Sequence, residues 1–546
     1  MLKLDMEKAY DRVEWPFLLF MLRQFGFREW GVDLLFRTFS NSWFSVLING
    51  EPAGFFQPSR GVRQGDPLSP ALFLLVAEYL GRGIHHIFLQ NENRFYVSAG
   101  TKIPYLAFAD DTIIFARCSE DCLDSLRTLF ADYEAFSGQK INGSKSSFVI
   151  SNRATVEQVS LVEAKLGFQQ NHFPFTYLGV PISRGKQLCV LYDGIVAKMN
   201  SCLRHWSTRL LSAGGKWVLL RHVLSTIPMY FFQVLKPPKA VIIKLDRILN
   251  SFMWDKSVGD SRVHWASWDK LCYPIEEGGL GFRRLEDIVA AFSCKLWWRL
   301  RQHNSVWASF MHCKYIRGQH PLIVSVDRPP PIWRRLEEVR RFAETRIRWC
   351  LGRGFVDFWY DCWCFDSPLV DILQMSDPPH MFLAEFYTDN GWDGNKLRNW
   401  LPDYLASRIE ELQLHPSMED SMVWQPSSNG ELSVKSAWEE WRQRRNISVV
   451  DKGIWCPILP LKVSFFSWKL VRGFVPMDAA IKQRGISLAS RCDCCFSAEE
   501  SVSHFFLHGP VARNVWDHFA RLFGLRDTMR TSIAAMFISW FFRRGN

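Results

Sequence analysis

The chain has 546 residues, too many for one typical domain, so we expect about three or four folding units. Hydrophobic residues make up 48% of it, enough for ordinary globular cores, and the formal net charge of +11 favours a polyanionic partner. Asp5 and Glu7 exclude a secretory signal at the N-terminus, and no apolar run approaches the about 18 residues of a membrane span. We therefore expect an intracellular protein of the nucleus or cytoplasm that has no contact with membranes.

The chain opens on an alternating segment, LKLDM, at residues 2–6. Its apolar residues fall on one side and Lys3 and Asp5 on the other, which is the period of a half-buried strand. Trp15 and Pro16 then predict a helix that runs to about Phe25, because proline is tolerated in the first turn of a helix.

A loop rich in glycine and proline follows at residues 59–75, SRGVRQGDPLSPALFLL. Ser69 and Pro70 predict the start of an apolar, buried helix that continues from Ala71 to Leu80. Farther along, residues 105–108 and 112–115 are short β-rich apolar runs, and between them lies the sequence Ala-Asp-Asp. These runs predict a tight hairpin with acids at its turn.

Asp5, Asp110 and Asp111 converge if their strands are neighbours in one sheet. Three such anions cannot stay ionised together without a counter-charge. Mg²⁺ supplies it with one or two carboxylates plus phosphate oxygens, and a pair of such metals promotes an in-line phosphoryl displacement. The alternative is that the acid pair at 110–111 is ordinary turn chemistry.

Three motifs occur in a fixed order: D-x-x-x-A-Y-D from Asp5, R-Q-G-D-P-L-S-P from Arg63, and F-A-D-D up to Asp111. Together they resemble the reverse-transcriptase domain of plant-type non-LTR (LINE-type) retrotransposons. The resemblance implies an α+β fold that begins with a polymerase palm, an antiparallel sheet with packed helices. It also implies an RNA-directed DNA polymerase in which Asp5, Asp110 and Asp111 hold two Mg²⁺ ions. Its partners would be an RNA template, a DNA primer and a deoxynucleoside triphosphate.

The same resemblance gives roles to residues of the first two motifs. Tyr10 would pack under the sugar and reject a 2′-hydroxyl, although a core tyrosine is the alternative. Gln64 and Gly65 would contact the nascent base pair, with glycine allowing close approach of the backbone. Arg63 would meet a phosphate or, equally, be a solvated arginine.

Downstream, the spacing of apolar residues predicts a helix over residues 121–136. In the loop and strand after it, the resemblance makes Lys140 and Lys145 candidates for the general acid that protonates pyrophosphate, and plain loop lysines are the alternative. The segment HFPFTYLGVPI at residues 172–182 resembles the hairpin that grips the primer end. Its central residues are Tyr177, Leu178 and Gly179.

From about residue 188 the chain is rich in tryptophan, leucine and arginine, and long amphipathic helices are expected. This part resembles the thumb of LINE-type enzymes, in which basic residues lie near a duplex backbone, and a solvated helix face is the alternative. The basic residues in question are Arg204, Arg209, Lys216 and Arg221. A proline run at residues 329–331 marks a stiff connector.

Near the C-terminus, Cys492, Cys495, His504 and His508 follow a C-x₂-C…H-x₃-H pattern, with the histidines expected at i and i+4 of a helix. The surrounding sequence resembles the zinc-binding module at the end of plant LINE-type reverse transcriptases. In that module the fourth ligand is usually a cysteine five residues after the first histidine, and here the position is Gly509. His508 would replace it, or the module is degenerate and binds no Zn²⁺.

The predicted organisation is a palm (1–185), a helical thumb or connection (186–328), a tryptophan-rich region without assigned role (329–430), a zinc-binding-like module (431–520) and a tail (521–546). Only four residues precede Asp5, so we expect the fingers to be missing and the reading frame to be N-terminally truncated. One alternative is therefore a catalytically inactive relic that only binds nucleic acid. A group II intron maturase shares the polymerase motifs, but the part after residue 188 resembles the LINE-type continuation instead.

Overall fold

The structure is a computed structural model that describes residues 1–90, 95, 97–98, 100–206, 211–255, 263–388, 391–413, 415, 417–525 and 531–541. It divides into two compact units. Unit 1 comprises Met1–Arg184 and Asn304–Gly318, and unit 2 comprises Gly185–His303 and Gln319–Asn546. The finer division into palm, thumb, linker and zinc module stays a prediction.

Unit 1 contains both strands and helices along its length. Its strands and helices up to residue 182 are β1 (Leu2–Leu4), α1 (Trp15–Gln24), α2 (Glu29–Ser40), β2 (Phe44–Ile48), β3 (Glu51–Phe56), α3 (Ser69–Gln90), β4 (Val97–Ser98), β5 (Thr101–Lys102), β6 (Tyr105–Phe108), β7 (Asp111–Ile114), α4 (Glu120–Ser137), β8 (Ser147–Phe148), α5 (Val156–Leu166), β9 (Gln169–Gln170), β10 (Phe175–Tyr177) and β11 (Val180–Ile182). The expected strand at the N-terminus, the hairpin and the helices at 15–25 and 121–136 are confirmed.

The largest sheet of unit 1 has the strand order β6-β7-β1-β8-β9. Strand β1 is in the middle and runs antiparallel to both β7 and β8. The apolar side of β1 belongs to a buried core that also takes residues from α1, α3 and α4, because Leu2, Leu4 and Met6 are buried there. The alternation of the strand therefore places Lys3 and Asp5 on the face away from the helices.

Helix α3 is longer than the sequence pattern predicted, and it buries nine residues in unit 1. By length and composition alone it is apolar enough to cross a membrane. Core helices of water-soluble folds pass the same test, and residues such as Leu72, Phe73 and Ile84 of α3 lie in the core of unit 1. We interpret α3 as a core helix.

The β2–β3 hairpin differs from the rest of unit 1 because nearly all of its side chains are exposed. Its turn consists of Asn49 and Gly50, both with positive φ, which suits the twist of a two-residue hairpin. Near one end of the hairpin the exposed rings of Trp43 and Phe55 stack with centroids 4.7 Å apart.

The remaining elements are mostly short helices. In chain order they are α6 (Asp193–Trp206), α7 (Ala213–Leu219), α8 (Met229–Val234), α9 (Lys239–Trp254), α10 (Trp268–Leu271), α11 (Leu285–Gln302), α12 (Val306–Met311), α13 (Pro331–Glu344), β12 (Ile347–Cys350), α14 (Leu369–Ile372), β13 (Tyr387–Thr388), β14 (Gly391–Trp392), α15 (Gly394–Arg398), α16 (Asp403–Glu410), β15 (Ser421–Trp424), α17 (Val434–Trp441), α18 (Val449–Ile454), α19 (Leu461–Val471), α20 (Asp478–Lys482), α21 (Pro510–Leu522) and α22 (Ile533–Phe541). Helix α12 belongs to unit 1 and the others to unit 2.

Two expectations for unit 2 need correction. Residues 213–234 form two short helices and a π-helical turn rather than a long helix, in keeping with the glycine pair that begins at Gly214 and with Pro228. The predicted connector at 329–331 is shorter than expected, because its last residue, Pro331, is the first residue of α13. The first turn of a helix is a position that suits proline.

The tryptophan-rich region of unit 2 has a core of its own, built around Phe358, Trp359 and Phe386. Strands β12 and β15 pair antiparallel, as do β13 and β14, so this region contains β-structure. Beside this core lies a buried ionic cluster in which Arg301 contacts Glu344 and Asp361. The ion pairs offset part of the cost of burying these charges.

Candidate active site and candidate metal centre

Asp5 directly follows the central strand of unit 1. The antiparallel pairing of β1 with β7 matches Leu4 with Thr112, so Asp5 and Asp111 each lie one residue beyond this last pair and would face each other if the register continued. The Cβ atoms of residues directly opposite each other in such a pair lie about 5 Å apart. On its other side, the Asp5 backbone N–H donates to Ser146 Oγ at 3.1 Å. Strand pairing therefore brings two of the three predicted aspartates together.

Asp110 lies in the turn between β6 and β7. Because Phe108 pairs with Asp111, the turn consists of two residues, Ala109 and Asp110. Ala109 has φ of 50°, in the left-handed region that residues other than glycine rarely adopt. The turn holds Asp110 at the tip of the hairpin, next in sequence to Asp111, and both acids are partly exposed.

The three aspartates interact electrostatically without forming a tight cluster. Burial raises the pKa of the Asp111 carboxyl, and the negative charges of Asp110 and Asp5 raise it further against the opposing effect of Lys3. In the described part of the chain, the three carboxylates do not form a group in which all donor oxygens lie within 4.8 Å of one another. Since like charges resist closer approach, a cation is what would draw these carboxylates together.

Lys3 and Lys145 lie near the acids. Lys145 Nζ lies 4.0 Å from Asp5 Oδ1, and its side chain is 68% exposed. Lys3 Nζ donates to the carbonyl oxygen of Thr176 at 3.2 Å. Lys140 is exposed, and its carbonyl oxygen accepts a hydrogen bond from the backbone N–H of Glu7. Of the two candidate general acids, the structure therefore places Lys145 beside an aspartate.

The hairpin of β10 and β11 lies next to the acids. Its two-residue turn is Leu178 and Gly179, both with positive φ, and Tyr177 pairs with Val180 across it. Burial raises the pKa of the Tyr177 hydroxyl, and the negative charge of Asp111 raises it further. The predicted primer-gripping residues and the predicted catalytic acids are thus neighbours within unit 1.

The second motif lines a groove of about 640 Å³. Arg63 Nε donates to Ser42 Oγ at 2.7 Å, so this guanidinium is anchored by a protein group. Gln64 Nε2 donates to Asp11 Oδ1 at 3.3 Å. Gly65 has φ of 89° and open space around it, a conformation that favours glycine.

Tyr10 is half-buried, and its ring stacks on Phe73 of α3 with centroids 5.1 Å apart. This contact fixes the ring from one side, as the core alternative expects, and leaves part of the residue exposed. Both readings of Tyr10 remain predictions.

The basic residues predicted for the thumb are not equivalent. Arg204 is exposed, and Arg221 is exposed with its guanidinium 5.3 Å from the centre of the Trp217 ring. Lys216 is half-buried and hydrogen-bonds the carbonyl oxygen of Asp255. Arg209 lies outside the described residues. Lys216 is thus engaged within the protein, while Arg204 and Arg221 are open to solvent.

In unit 2, three of the predicted zinc ligands gather. Donor atoms of Cys492, Cys495 and His504 lie within 4.8 Å of one another, and Cys495 Sγ is 3.2 Å from His504 Nε2. A tight turn holds the cysteines, because the Cys492 carbonyl accepts from the backbone N–H of Phe496 at 2.8 Å. Hydrogen bonds from Ser497, and then from His504 and Cys492, lower the pKa of the Cys495 thiol to about 6. A thiolate and imidazole set of this kind suits Zn²⁺.

His508 does not join this group. Residues His504–His508 form a π-helical turn rather than the expected α-helix, and His508 is exposed at its end. Cys494 is exposed as well and is likewise not one of the three gathered residues.

Comparison with known proteins finds two family models that match parts of the chain. Residues 1–182 match the family model described as reverse transcriptase (RNA-dependent DNA polymerase). These residues belong to the reverse transcriptase family. A second family model, described as zinc-binding in reverse transcriptase, matches residues 432–516. The predicted resemblance, the α+β class and the C-terminal zinc-binding module are confirmed.

Proteins similar to this chain come from plants and animals. A putative ribonuclease H protein of Arabidopsis thaliana is 26% identical over 341 residues, 60% of this chain and 55% of that protein. A retrovirus-related Pol polyprotein from the type-1 retrotransposable element R2 of Popillia japonica is 26% identical over 354 residues, 62% of this chain and 55% of the polyprotein. A retrovirus-related Pol polyprotein from the type-2 retrotransposable element R2DM of Drosophila melanogaster is 31% identical over 338 residues. The match covers 59% of this chain and 30% of that polyprotein. The chain thus spans about half the length, or less, of these relatives.

Reverse transcriptases use divalent metal ions and act on a nucleic-acid template and primer with nucleotides, so ligands of these classes are those of the reverse-transcriptase domain. The sequence analysis gave no role to Lys3 or Asp11 and did not find Ser146. Lys3 shares the polar side of β1 with Asp5, Asp11 accepts from Gln64, and Ser146 Oγ accepts from the Asp5 backbone N–H. Strand alternation is a signal for Lys3 and the first motif contains Asp11, whereas no sequence signal marks the loop contact of Ser146.

Proposed function

We propose that this chain is an RNA-directed DNA polymerase of a non-LTR retrotransposon. In the reaction, the 3′-hydroxyl of a primer attacks the α-phosphate of a deoxynucleoside triphosphate and pyrophosphate leaves. The observation that carries the proposal is the pairing of β1 with β7, because Asp5 and Asp111 each follow the last paired residues, Leu4 and Thr112. Asp110 directly precedes Asp111, and all three acids lie in the part of the chain that matches the reverse-transcriptase family. Most of the chemistry in such a transfer is positioning and charge stabilisation.

Asp5, Asp110 and Asp111 would hold two Mg²⁺ ions. Their donor set is all oxygen, as Mg²⁺ prefers, and the like charges that raise the pKa of Asp111 call for a cation. When bound, the ions supply positive charge that activates the attacking hydroxyl and stabilises the leaving oxygen. Lys3 and Lys145 add two positive charges at this face, fewer than the three carboxylates carry.

Other residues of unit 1 would position the substrates. Gln64 lines the groove together with the anchored Arg63. Gln64 and Gly65, which follows it in the chain, would face the nascent base pair, with Arg63 near a phosphate. Tyr177 and the turn after it would hold the primer end close to Asp111. Lys145 would then be the group that gives a proton to pyrophosphate, since it lies beside Asp5.

In unit 2, Cys492, Cys495 and His504 would hold one Zn²⁺ ion. Their contribution is structural, because such a metal site ties a short loop to a helix and converts binding energy into folding energy. The partners proposed for the whole chain are an RNA template and a DNA primer, and the net charge of +11 favours both. We propose that it works inside the cell, in the nucleus or cytoplasm.

Primer extension tests the proposal. The full chain is incubated with an RNA template, a DNA primer, deoxynucleotides and Mg²⁺, and compared with the double variant Asp110→Ala, Asp111→Ala. Asp132→Ala is the matched control, since Asp132 is an exposed acid on α4. We expect extension by the wild type and the control and none by the double variant.

Two results would contradict the proposal. Extension by the double variant would show that these acids are not the catalytic ones. No extension by any variant, with salt-sensitive template binding retained, would favour the alternative of a relic that only binds nucleic acid.

A further inference from the structure

The Cys/His group of unit 2 offers a metal ion three donors. Structural zinc sites are almost always tetrahedral with four protein ligands, whereas sites with three protein ligands keep one position for water or another small molecule. Within the described residues, Cys492, Cys495 and His504 are the set of three or more potential ligands that gathers within 4.8 Å. The number of ligands is therefore that of an open site.

The two nearby residues with suitable donor atoms lie outside the group. His508 is exposed at the end of the π-helical turn, four residues after His504. Cys494 is exposed and lies between two cysteines that do belong to it. The Cys494 thiol hydrogen-bonds that of Cys492, but neither Cys494 nor His508 belongs to the set whose donor atoms all lie within 4.8 Å of one another.

Gly509 occupies the place from which a fourth ligand would reach the group. It is buried, and a Cβ atom built on it would lie 3.2 Å from His504 Nε2 and 2.6 Å from the His504 carbonyl oxygen. A side chain at this position would therefore begin close to His504 Nε2, one of the three donor atoms. Glycine provides no donor there, and its backbone φ of −64° puts no constraint on other residues.

Solvent has access to the group. Cys495 and His504 are both partly exposed, and only Cys492 is buried. A metal ion bound by these atoms is within reach of water and of small solutes. Zn²⁺ with an unfilled position takes water or a soft anionic ligand, and a thiolate is the softest donor that it commonly accepts.

We infer that the metal ion of this module is bound by Cys492, Cys495 and His504 alone, with a fourth position beside Gly509 that accepts water or a small exogenous thiol. The inference rests on the zinc binding proposed above. It goes beyond that proposal because it makes this site a three-ligand, exchangeable one.

Cobalt substitution tests the inference, since Co²⁺ reports its thiolate ligands through a charge-transfer absorption band. The full chain is titrated with Co²⁺, and the spectrum of Cys492→Ser is subtracted to remove binding by other cysteines. We expect two thiolates in the wild type. Added 2-mercaptoethanol should then raise the charge-transfer intensity by about one half, as the count rises from two thiolates to three.

Four variants identify the fourth position. Gly509→Cys should reach the three-thiolate intensity without added thiol, lose the response to 2-mercaptoethanol and bind Zn²⁺ at least about tenfold more tightly in competition with a chromophoric chelator. Gly509→Ala adds the Cβ without the thiol and should not gain affinity. His508→Ala and Cys494→Ser should match the wild type.

Each outcome decides one question. A wild type that ignores 2-mercaptoethanol, or a spectrum altered by His508→Ala or Cys494→Ser, overturns the open position while leaving zinc binding intact. No Co²⁺ or Zn²⁺ binding that depends on Cys492 contradicts the proposed zinc site itself. If the contact with the His504 carbonyl prevents Gly509→Cys from folding, the thiol response of the wild type decides alone.

Discussion

The two candidate metal sites gather their ligands in opposite ways. In unit 1 the three aspartates are placed by strand register and a hairpin turn, and their carboxylates stay apart. In unit 2 two cysteines and a histidine lie in mutual contact, with a sulfur–nitrogen distance of 3.2 Å.

The difference has a physical cause. A neutral thiol or imidazole can donate to its neighbour, so the Cys/His group is cohesive before any ion binds. Carboxylates only accept when ionised and repel one another, so the backbone must hold them near and a cation must close the gap. The site in unit 1 is therefore positioned by the fold, and the site in unit 2 is partly assembled by its own hydrogen bonds.

The largest effect is expected from removing one charge at the first site. Asp5→Asn keeps the shape of the side chain but removes a metal-binding oxygen, and we expect primer extension to fall by about a thousandfold. Asp132→Asn should extend as the wild type does. An Asp5→Asn protein that extends within about tenfold of the wild type would show that Asp5 is not part of the site.

A stability effect is expected at Asp246 in unit 2, a largely buried acid whose charge Arg284 offsets only in part. Burial, and then the negative charge of Asp269, raise the pKa of Asp246 to about 7. Between about pH 4 and 7, Asp246 is therefore protonated in the folded state and ionised in the unfolded state. The free energy of unfolding should fall as the pH rises through that window, by up to about 4 kcal/mol in all.

Asp246→Asn isolates this contribution. The amide stays neutral at every pH, so the variant should gain stability relative to the wild type between pH 5 and pH 8, as measured by thermal or denaturant unfolding at each pH. A difference between the two proteins that does not change with pH would mean that Asp246 is already ionised in the fold.

At the second site, Cys492→Ser should weaken Zn²⁺ binding by about a hundredfold, because one of three ligands is lost. Chelation of the wild type should also expose the segment around Leu507 to proteolysis, since the turn that carries His504 packs into that small core. Equal Zn²⁺ affinities of Cys492→Ser and the wild type would contradict the proposed zinc site of unit 2.

The smallest effect separates the two lysines. Lys145→Ala should slow extension by about tenfold, because its ammonium group lies beside Asp5, and Lys140→Ala should have little effect. The single-turnover rate at saturating deoxynucleotide is the measurement. Equal effects of the two substitutions would contradict a special role for Lys145 and favour the alternative that both are plain loop lysines.

Much of the first site could be predicted from sequence because its signals are local. Alternation in residues 2–6 predicted the side of β1 on which Asp5 lies, and the β-rich runs around Asp110 predicted the hairpin. The pairing of β1 with β7, which makes Asp5 and Asp111 neighbours, depends on a contact across more than 100 residues that no local pattern reports.

The second site was predicted less completely. Spacing selected Cys492, Cys495 and His504, but it also selected His508, which the π-helical turn leaves exposed. A sequence pattern counts residues and cannot tell a π turn from an α turn. The significance of Gly509 likewise depends on the direction in which its missing Cβ would point.

The central claim is that Asp5 and Asp111 act together across two paired strands. A double-mutant cycle of Asp5→Asn and Asp111→Asn in primer extension tests it most directly. Residues that act as a unit are far from additive, so the account predicts that the double variant is about as impaired as either single variant. Losses that multiply would show that the two aspartates act independently and would contradict the account.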